Sequence, residues 1–341
     1  MIYFRCDGNS VIGGGHVMRC LSIANAFQIE KKNIRFVLSD LEFNDIIMQN
    51  GFDTIVLGTK YNDLASEVEL LSSKIKSDAE IIIVDSYYAD FKYLSEIGKL
   101  SKVVYIDDLF AFPYPVDLLI NYNVYADENR YVELYKNSGV KVPKLVLGTA
   151  YTPLRKEFVS LPDKKINDKI KDVLISTGVS DSLHLTYKLI KELKENGCSY
   201  HYHFIVGGKN NDIDIIEEIA KEIKNVSIYY KCNNVCDLMQ KCDVAVSAAG
   251  STLYELCSTG TPIISYVCAD NQIYGINEFE KRDLLISLGD VRKNDFSLNV
   301  VEAKIKLLSD SVIRKEYSTR IRQTVDGKGA KRIADFIRNF N

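Results

Sequence analysis

The chain has 341 residues, 46% of them hydrophobic and 26% charged, with a formal net charge of −3. That length suits two domains of about 150–180 residues each, and interspersed acidic and basic residues exclude the basic stripe of a nucleic-acid binder. No apolar run approaches the ~18 residues of a membrane span, and MIYFRCDGNS carries no secretory-signal pattern, so a cytoplasmic protein without a membrane partner is expected.

In chain order, strand patterns at 2–6, 34–38, 54–57, 81–85, 103–107 and 118–121 alternate with helical patterns at about 17–27, 44–50, 64–77 and 90–100. Steps of roughly 20–30 residues from strand to strand indicate βαβ units and a parallel sheet. The polar stretch 161–171 (LPDKKINDKIK) reads as a linker between a domain of residues 1–160 and one of 172–326. In the second domain, strands at 172–176, 201–206, 226–229, 243–247 and 263–266 alternate with helices at 184–195, 212–224, 235–241, 251–259 and 274–286. A closing helix within 327–341 is expected to pack back on the first domain. Two Rossmann-like halves place ligand contacts just beyond the carboxyl ends of the strands, in a cleft between the halves.

Those positions hold the informative residues. Arg5 and Asp7 end the first strand, and Gly13, Gly14, Gly15 and His16 lead into the first helix. Consecutive glycines permit positive φ and close approach of a ligand to the backbone. A histidine at a helix amino terminus stands in a field that favours neutral imidazole, which can accept a proton. The same turn also reads as a phosphate-approach loop with His16 as a cap. It is neither GxGxxG followed by an acid nor GxxxxGK[ST], which argues against nicotinamide and P-loop chemistry. Asp85, Asp107, Asp108, Asn121 and Asn123 end or follow later strands, where they can hold sugar hydroxyls or orient the histidine, or simply form turns. His201 and His203 alternate in a strand and His184 sits on an early helical turn; none of the three is assigned a role. Eight cysteines lack paired metal-ligand spacing and read as reduced, buried thiols, so no metal is expected.

In the second half, Gly178 lies in STGVSD, and Ser247, Gly250, Ser251 and Thr252 lie in SAAGST at the start of a helix. A free helix amino terminus suits a diphosphate, with Glu255 one turn on to accept ribose hydroxyls. Ser251 or Thr252 with Glu255 also reads as a capping box. Asn271 and Gln272 follow the last strand.

The segments RCDGNSVIGGGHVMRCLSIA, YIDDL, LLINYNVYA, GTAYTPLRKEF and SAAGSTLYELCSTGTPIISY, in that order, resemble the nucleotide-sugar hydrolases of pseudaminic acid biosynthesis, the PseG family. The second half also resembles the nucleotide-binding domain of MurG-like glycosyltransferases. The resemblance implies an α/β GT-B-type fold, two Rossmann-like domains facing a central cleft. It implies hydrolysis of UDP-2,4-diacetamido-2,4,6-trideoxy-β-L-altropyranose; attack of water at the anomeric carbon with inversion, without a cofactor, is the expected course. On this resemblance the catalytic histidine falls on His16. Beside this, strand-end position places Arg5, Asp7, Gly14, Gly15, Asn123, Tyr125 and Arg155 on the expected sugar side. The family's uridine and diphosphate contacts fall on the turn holding Ser247, Gly250, Ser251 and Thr252 and on Glu255, and Gly178, Asn271 and Gln272 at neighbouring strand ends are expected on the same UDP side. Thr177-Gly178 departs from the paired glycines common in the family. A GT-B glycosyltransferase with a UDP-sugar donor, a hydrolysing UDP-sugar 2-epimerase and a non-catalytic sugar-nucleotide sensor are the alternatives. No basic, apolar surface helix announces a lipid acceptor, which favours the hydrolase.

Overall fold

Short aliphatic runs make central strands here because both faces are covered by helices, as parallel sheets require; Ile81–Asp85 and Val244–Ala248 are buried at every residue. A computed structural model describes residues 1–9, 11–75 and 79–340. The chain divides into two units, Met1–Arg155 with Lys328–Asn341, and Lys156–Gly327.

The first unit contains β1 (Ile2–Cys6), α1 (Gly15–Ala26), β2 (Ile34–Leu38), α2 (Asn44–Gln49), β3 (Asp53–Val56) and α3 (Val68–Lys74). It continues with β4 (Ile81–Asp85), α4 (Phe91–Ile97), β5 (Lys102–Ile106), β6 (Leu118–Asn121), α5 (Glu128–Tyr135) and β7 (Lys144–Leu147). Its sheet runs β3-β2-β1-β4-β5-β6-β7, parallel throughout.

The second unit opens with β8 (Asp172–Ser176), α6 (Leu185–Asn196), β9 (His201–Val206), α7 (Ile213–Ala220), β10 (Val226–Tyr230) and α8 (Val235–Lys241). After these come β11 (Val244–Ala248), α9 (Thr252–Thr259), β12 (Ile263–Val267), α10 (Ile273–Lys281), β13 (Ile286–Asp290), α11 (Leu298–Lys306) and α12 (Ser311–Thr324). The sheet order is β10-β9-β8-β11-β12-β13, also parallel. Order reverses between β1 and β4 in one sheet and between β8 and β11 in the other. At such a switch the connections leave on opposite faces of the sheet and open a crevice at the carboxyl ends.

The chain crosses between units at Arg155/Lys156 and again at Gly327/Lys328, not within 161–171. That polar stretch is stapled to the second unit. Lys164 Nζ donates to the carbonyls of Met239, Gln240 and Cys242 at the end of α8. Arg322 donates to the carbonyls of Leu161 and Pro162, and buried Arg314 donates to that of Asn167. α13 (Gly329–Arg338) then lies on α1 with Ala330, Ile333, Ala334 and Ile337 buried.

Periodicity misses several elements. The helix expected over 274–286 stops at Lys281, and Ile286–Asp290 is an edge strand. Gly289 at φ +75 and a register shift against β12 break its alternation. Strand β7 lies at the sheet edge with only Val146 buried, so it lacks the continuous burial that marks β6. The helix expected over 64–77 begins as a 3-10 turn at Leu64–Glu67 and continues as α3; residues 76–77 lie outside the described residues. Among the described residues no helix is long and apolar enough to cross a membrane.

Candidate active site

The loop from β1 to α1 is closed on itself before it meets any ligand. Asn9 and Gly13 form an isolated antiparallel bridge, and Asn9 Oδ1 accepts from the backbone of Val11 and Ile12 at 2.9 and 3.0 Å. Of the three glycines only Gly13 takes positive φ, at +74°. Gly14 is glycine for a different reason: a Cβ there would stand 2.6 Å from the Phe43 ring. A Cβ on Gly15 would meet nothing within 4 Å, so this face of the loop is open. Asn9 had no recognisable signal in the sequence, because its side chain acts only within its own turn.

Helix α1 then fixes His16 on its first turn. Its imidazole, 7% exposed, places Nδ1 at 2.7 Å from Asp85 Oδ1 at the end of β4. A distance that short to a carboxylate needs a proton between the two atoms, so Nδ1 donates to Asp85. Nε2 in the neutral ring therefore carries the lone pair. Among the described residues nothing bonds Nε2. His16 thus stands on the helix that follows β1 and Asp85 ends β4, the strands on either side of the switch in strand order.

Arg19 stands three residues after His16, on the same helix face. Its Nε donates to Asp85 Oδ2 at 2.5 Å and its Nη2 to Asp85 Oδ1, a two-pronged grip of the kind guanidinium makes on carboxylate. Nη2 is also 3.0 Å from His16 Nδ1, because both donors converge on one oxygen. Nη1 reaches Asp108 Oδ2 at 2.8 Å and the Tyr122 hydroxyl at 2.6 Å. Burial works against ionisation of Asp85, yet Arg19 and His16 outweigh it and hold the carboxyl well below its usual range. Arg19, also buried, is held in its charged form by Asp108 and Asp85. The i, i+3 spacing of His16 and Arg19 was the signal that could have found Arg19.

The neighbouring aspartates divide their labour. Asp108 accepts from Arg19, from Tyr87 OH at 3.1 Å and from Asn123 Nδ2 at 2.7 Å, and its backbone carbonyl accepts from Tyr125 OH at 3.2 Å. Asp107 instead turns inward, accepting from Tyr114 OH at 2.7 Å, Tyr131 OH at 2.5 Å and the backbone of Leu109. Asp107 is thus a buried turn anchor. Asn121 likewise supports from below, bonding Tyr131 and Asn123. The Tyr87 and His16 rings meet edge to face, centroids 4.6 Å apart.

Arg5 and Asp7, expected on the sugar side, are 0% and 3% exposed. Arg5 is clasped by Glu67 at 2.6 and 2.8 Å and by Asp7 at 2.6 Å, while Asp7 Oδ1 accepts from Ser39 N at 2.7 Å. With no surface of Arg5 left for a ligand, the pair is scaffolding beneath the loop. Arg155 is half-buried and ends this stretch of the first unit.

In the second unit the expected UDP-side residues gather at the carboxyl ends of three adjacent strands. Gly178, at φ +93, follows β8; Gly250, Ser251 and Thr252 follow β11; Asn271 and Gln272 follow β12. Ser247 is buried, its Oγ donating to the Ala248 carbonyl at 3.1 Å and its own carbonyl taken by Ser265 Oγ at 2.8 Å, so it braces the turn. Gly250 N donates to the Ala248 carbonyl at 2.8 Å, and a Cβ on Gly250 would meet nothing within 4 Å. No side chain caps α9 at Ser251, so the capping-box alternative is not realised there. Glu255 lies on its first turn, half-buried. Gln272 Oε1 accepts from Cys268 N at 2.8 Å, while Asn271 is exposed. Asp181, unassigned from sequence, caps α6 by accepting from Leu185 N and Thr186 N at 3.0 and 2.9 Å.

No family model matches the chain. It is 26% identical over 280 residues to an uncharacterised protein of Methanocaldococcus jannaschii, covering 76% of this chain and 54% of that protein. To the pseudaminic acid cytidylyltransferase and UDP-2,4-diacetamido-2,4,6-trideoxy-β-L-altropyranose hydrolase of Helicobacter pylori it is 29% identical over 283 residues, covering 81% and 46%. To the UDP-2,4-diacetamido-2,4,6-trideoxy-β-L-altropyranose hydrolase of Campylobacter jejuni it is 24% identical over 260 residues, covering 74% and 86%. The chain spans about half the length of the first two of these relatives. Among solved structures it is similar to Acinetobacter baumannii MurG, with a TM-score of 0.69 at 11% identity over 99% of both chains. The glycosyltransferase of kitacinnamycin gives 0.72 at 11% identity, over 99% of this chain and 98% of that one. At such identities the likeness shows the fold alone: an α/β fold of GT-B type.

Proposed function

We propose that this chain hydrolyses UDP-2,4-diacetamido-2,4,6-trideoxy-β-L-altropyranose to UDP and the free sugar, with His16 as general base. The observation that carries this reading is the His16–Asp85 pair, which fixes the imidazole tautomer and leaves Nε2 as the acceptor at the switch of the first sheet. Names of relatives at 24–29% identity supply the substrate.

In the proposed reaction, Nε2 takes a proton from water as the water oxygen bonds the anomeric carbon. The bond from that carbon to the β-phosphate oxygen breaks, UDP departs with the electron pair, and the anomeric centre inverts. Asp85 and Arg19 hold the ring in place, and the ionised Asp85 stabilises the imidazolium that forms, a task that positioned carboxylates perform well in low dielectric. Asn123, Tyr125 and the open backbone at Gly15 meet the sugar, with Gly14 letting the loop pack on Phe43, and Arg155 approaches from the end of the unit. Gly178, Gly250, Ser251, Thr252, Glu255, Asn271 and Gln272 form the UDP side on a turn braced by buried Ser247, where the uncapped start of α9 receives phosphate charge.

A ¹H NMR time course with this UDP-sugar, without acceptor and with chelator, tests the reading. UDP release with the opposite anomer appearing first supports it. Turnover only on addition of an acceptor alcohol would transfer the assignment to a glycosyltransferase, and a 2-epimeric sugar product to an epimerase.

A further inference from the structure

At the amino-terminal edge of the second sheet, opposite the end that carries Gly178 and Gly250, three potential metal ligands meet. Parallel register sets Asp172 of β8 against His201 of β9. His201 and His203, two residues apart, share one face of that strand. Their rings stack with centroids 4.3 Å apart, and His203 Nε2 is 2.6 Å from Asp172 Oδ1. One ligand atom from each of the three lies within 4.8 Å of the others. The His203 side chain has no exposure and Asp172 retains 23%, so the cluster has a buried floor and an open mouth. Burial disfavours the charged form of His203 and holds it below its ordinary value despite Asp172.

Both rings are also oriented from the next strand. Tyr229 OH is 3.1 Å from His203 Nδ1, and Ser227 Oγ is 2.9 Å from His201 Nε2. A hydrogen bond at the second ring nitrogen is what orients a metal-ligating imidazole, and these hydroxyls can supply one.

We propose that Asp172, His201 and His203 bind a divalent transition-metal ion of the zinc class, with water completing the coordination. Two imidazoles and a carboxylate match the donor preference of Zn²⁺. Zinc bonds of about 2.0–2.2 Å put neighbouring donors about 3.4 Å apart, so the ion draws the three groups together by side-chain rotation. It replaces the proton now shared by His203 and Asp172. His203 then carries its proton on Nδ1, and the Tyr229 hydroxyl turns from donor to acceptor, as a hydroxyl can. Lys241 Nζ stands 3.7 Å from Asp172 Oδ1 with 53% of its side chain exposed. This ammonium balances Asp172 in the metal-free protein and must swing into solvent when a cation enters, so Lys241 sets the affinity.

The test is calorimetric titration of Zn²⁺ into the chelator-stripped full chain near neutral pH, with Co²⁺ substitution to report ligand type. Expected are one saturable equivalent and a Co²⁺ spectrum of nitrogen and oxygen ligation. His201→Gln, at a half-buried position, weakens binding by about tenfold or more, and Lys241→Gln tightens it. Should His203→Gln fail to fold, His201→Gln carries the test alone. Absence of saturable binding, a thiolate charge-transfer band with Co²⁺, or an affinity indifferent to His201→Gln would overturn the proposal.

Discussion

Nδ1 of His16 is committed to Asp85 and Nε2 is not, and this asymmetry decides what each single substitution does. Replacing His16 by Ala removes the acceptor and is expected to lower UDP-sugar turnover about 10²–10⁴-fold while UDP affinity stays near that of the wild type. Rates of UDP release, compared with UDP titration of the same variant, check it. Asp85→Asn preserves shape but presents an amide that can donate to Nδ1, reversing the tautomer; a loss of comparable size is expected with an unchanged circular dichroism spectrum. Asp85 also leaves an acid signature. Its folded pKa lies below the ordinary 3.8, so the unfolded chain binds the extra proton between the two values. Its contribution to stability is complete above about pH 4 and is lost as pH falls through the folded value. Denaturant midpoints followed from neutral to acid pH should therefore fall less steeply in Asp85→Asn than in the wild type. At this scale the sequence displayed His16 and offered Asp85 among several strand-end groups able to orient it, without singling it out. Asp85 and Asp108 end strands just as Asp107 does, and only the side on which each carboxylate leaves its strand separates the pair at the site from the buried anchor.

Helix α1 and the loop before it turn on three adjacent glycines whose requirements differ. A Cβ added at Gly14 would press on the Phe43 ring from 2.6 Å, so Gly14→Val overpacks the loop and is expected to cost about 1–3 kcal/mol. Gly15→Ala places its methyl in open space; thermal melting should be unchanged, and any rise in KM then reports ligand contact directly. Melting temperature and KM measured on both variants separate the two effects. The glycine run was legible as a loop, but its division of roles was not, since Phe43 comes from a distant turn of the chain, just before α2. Likewise α9 was legible as a helix with a polar start, whereas its uncapped end at Ser251 depends on a local φ of −58° and ψ of −24°. Those angles put Ser251 inside the helical region, where its hydroxyl is poorly placed to cap.

Across the whole molecule the alternation of strand and helix was legible because each βαβ unit repeats the same short apolar run. The crossing points between the units were not. Polar composition at 161–171 marks side chains that hydrogen-bond across the surface of the second unit, as Lys164 does, and not a free tether. The return of α13 to the first unit brings Gly329 against Thr152, where a Cβ would be 2.2 Å from the carbonyl oxygen. Gly329→Ala should therefore lower the melting temperature of the protein, and removal of residues from Lys328 onward should lower it further. Burial of Ile333 and Ile337 alone stabilises by about 1.5–3 kcal/mol each. Differential scanning calorimetry of the two variants measures both effects, and melting equal to wild type in the shortened chain would refute the role given to α13.

That return also sets a timetable for synthesis. Domains ordinarily fold in the order in which they leave the ribosome, at about 5–20 residues per second. Here the first unit has its seven strands once Leu147 has emerged, yet the face of α1 that receives α13 stays bare until the whole second unit has followed. The delay is on the order of ten to forty seconds. The first unit to begin folding is therefore the last to be finished, and its exposed helix face is the surface that a nascent-chain chaperone would find.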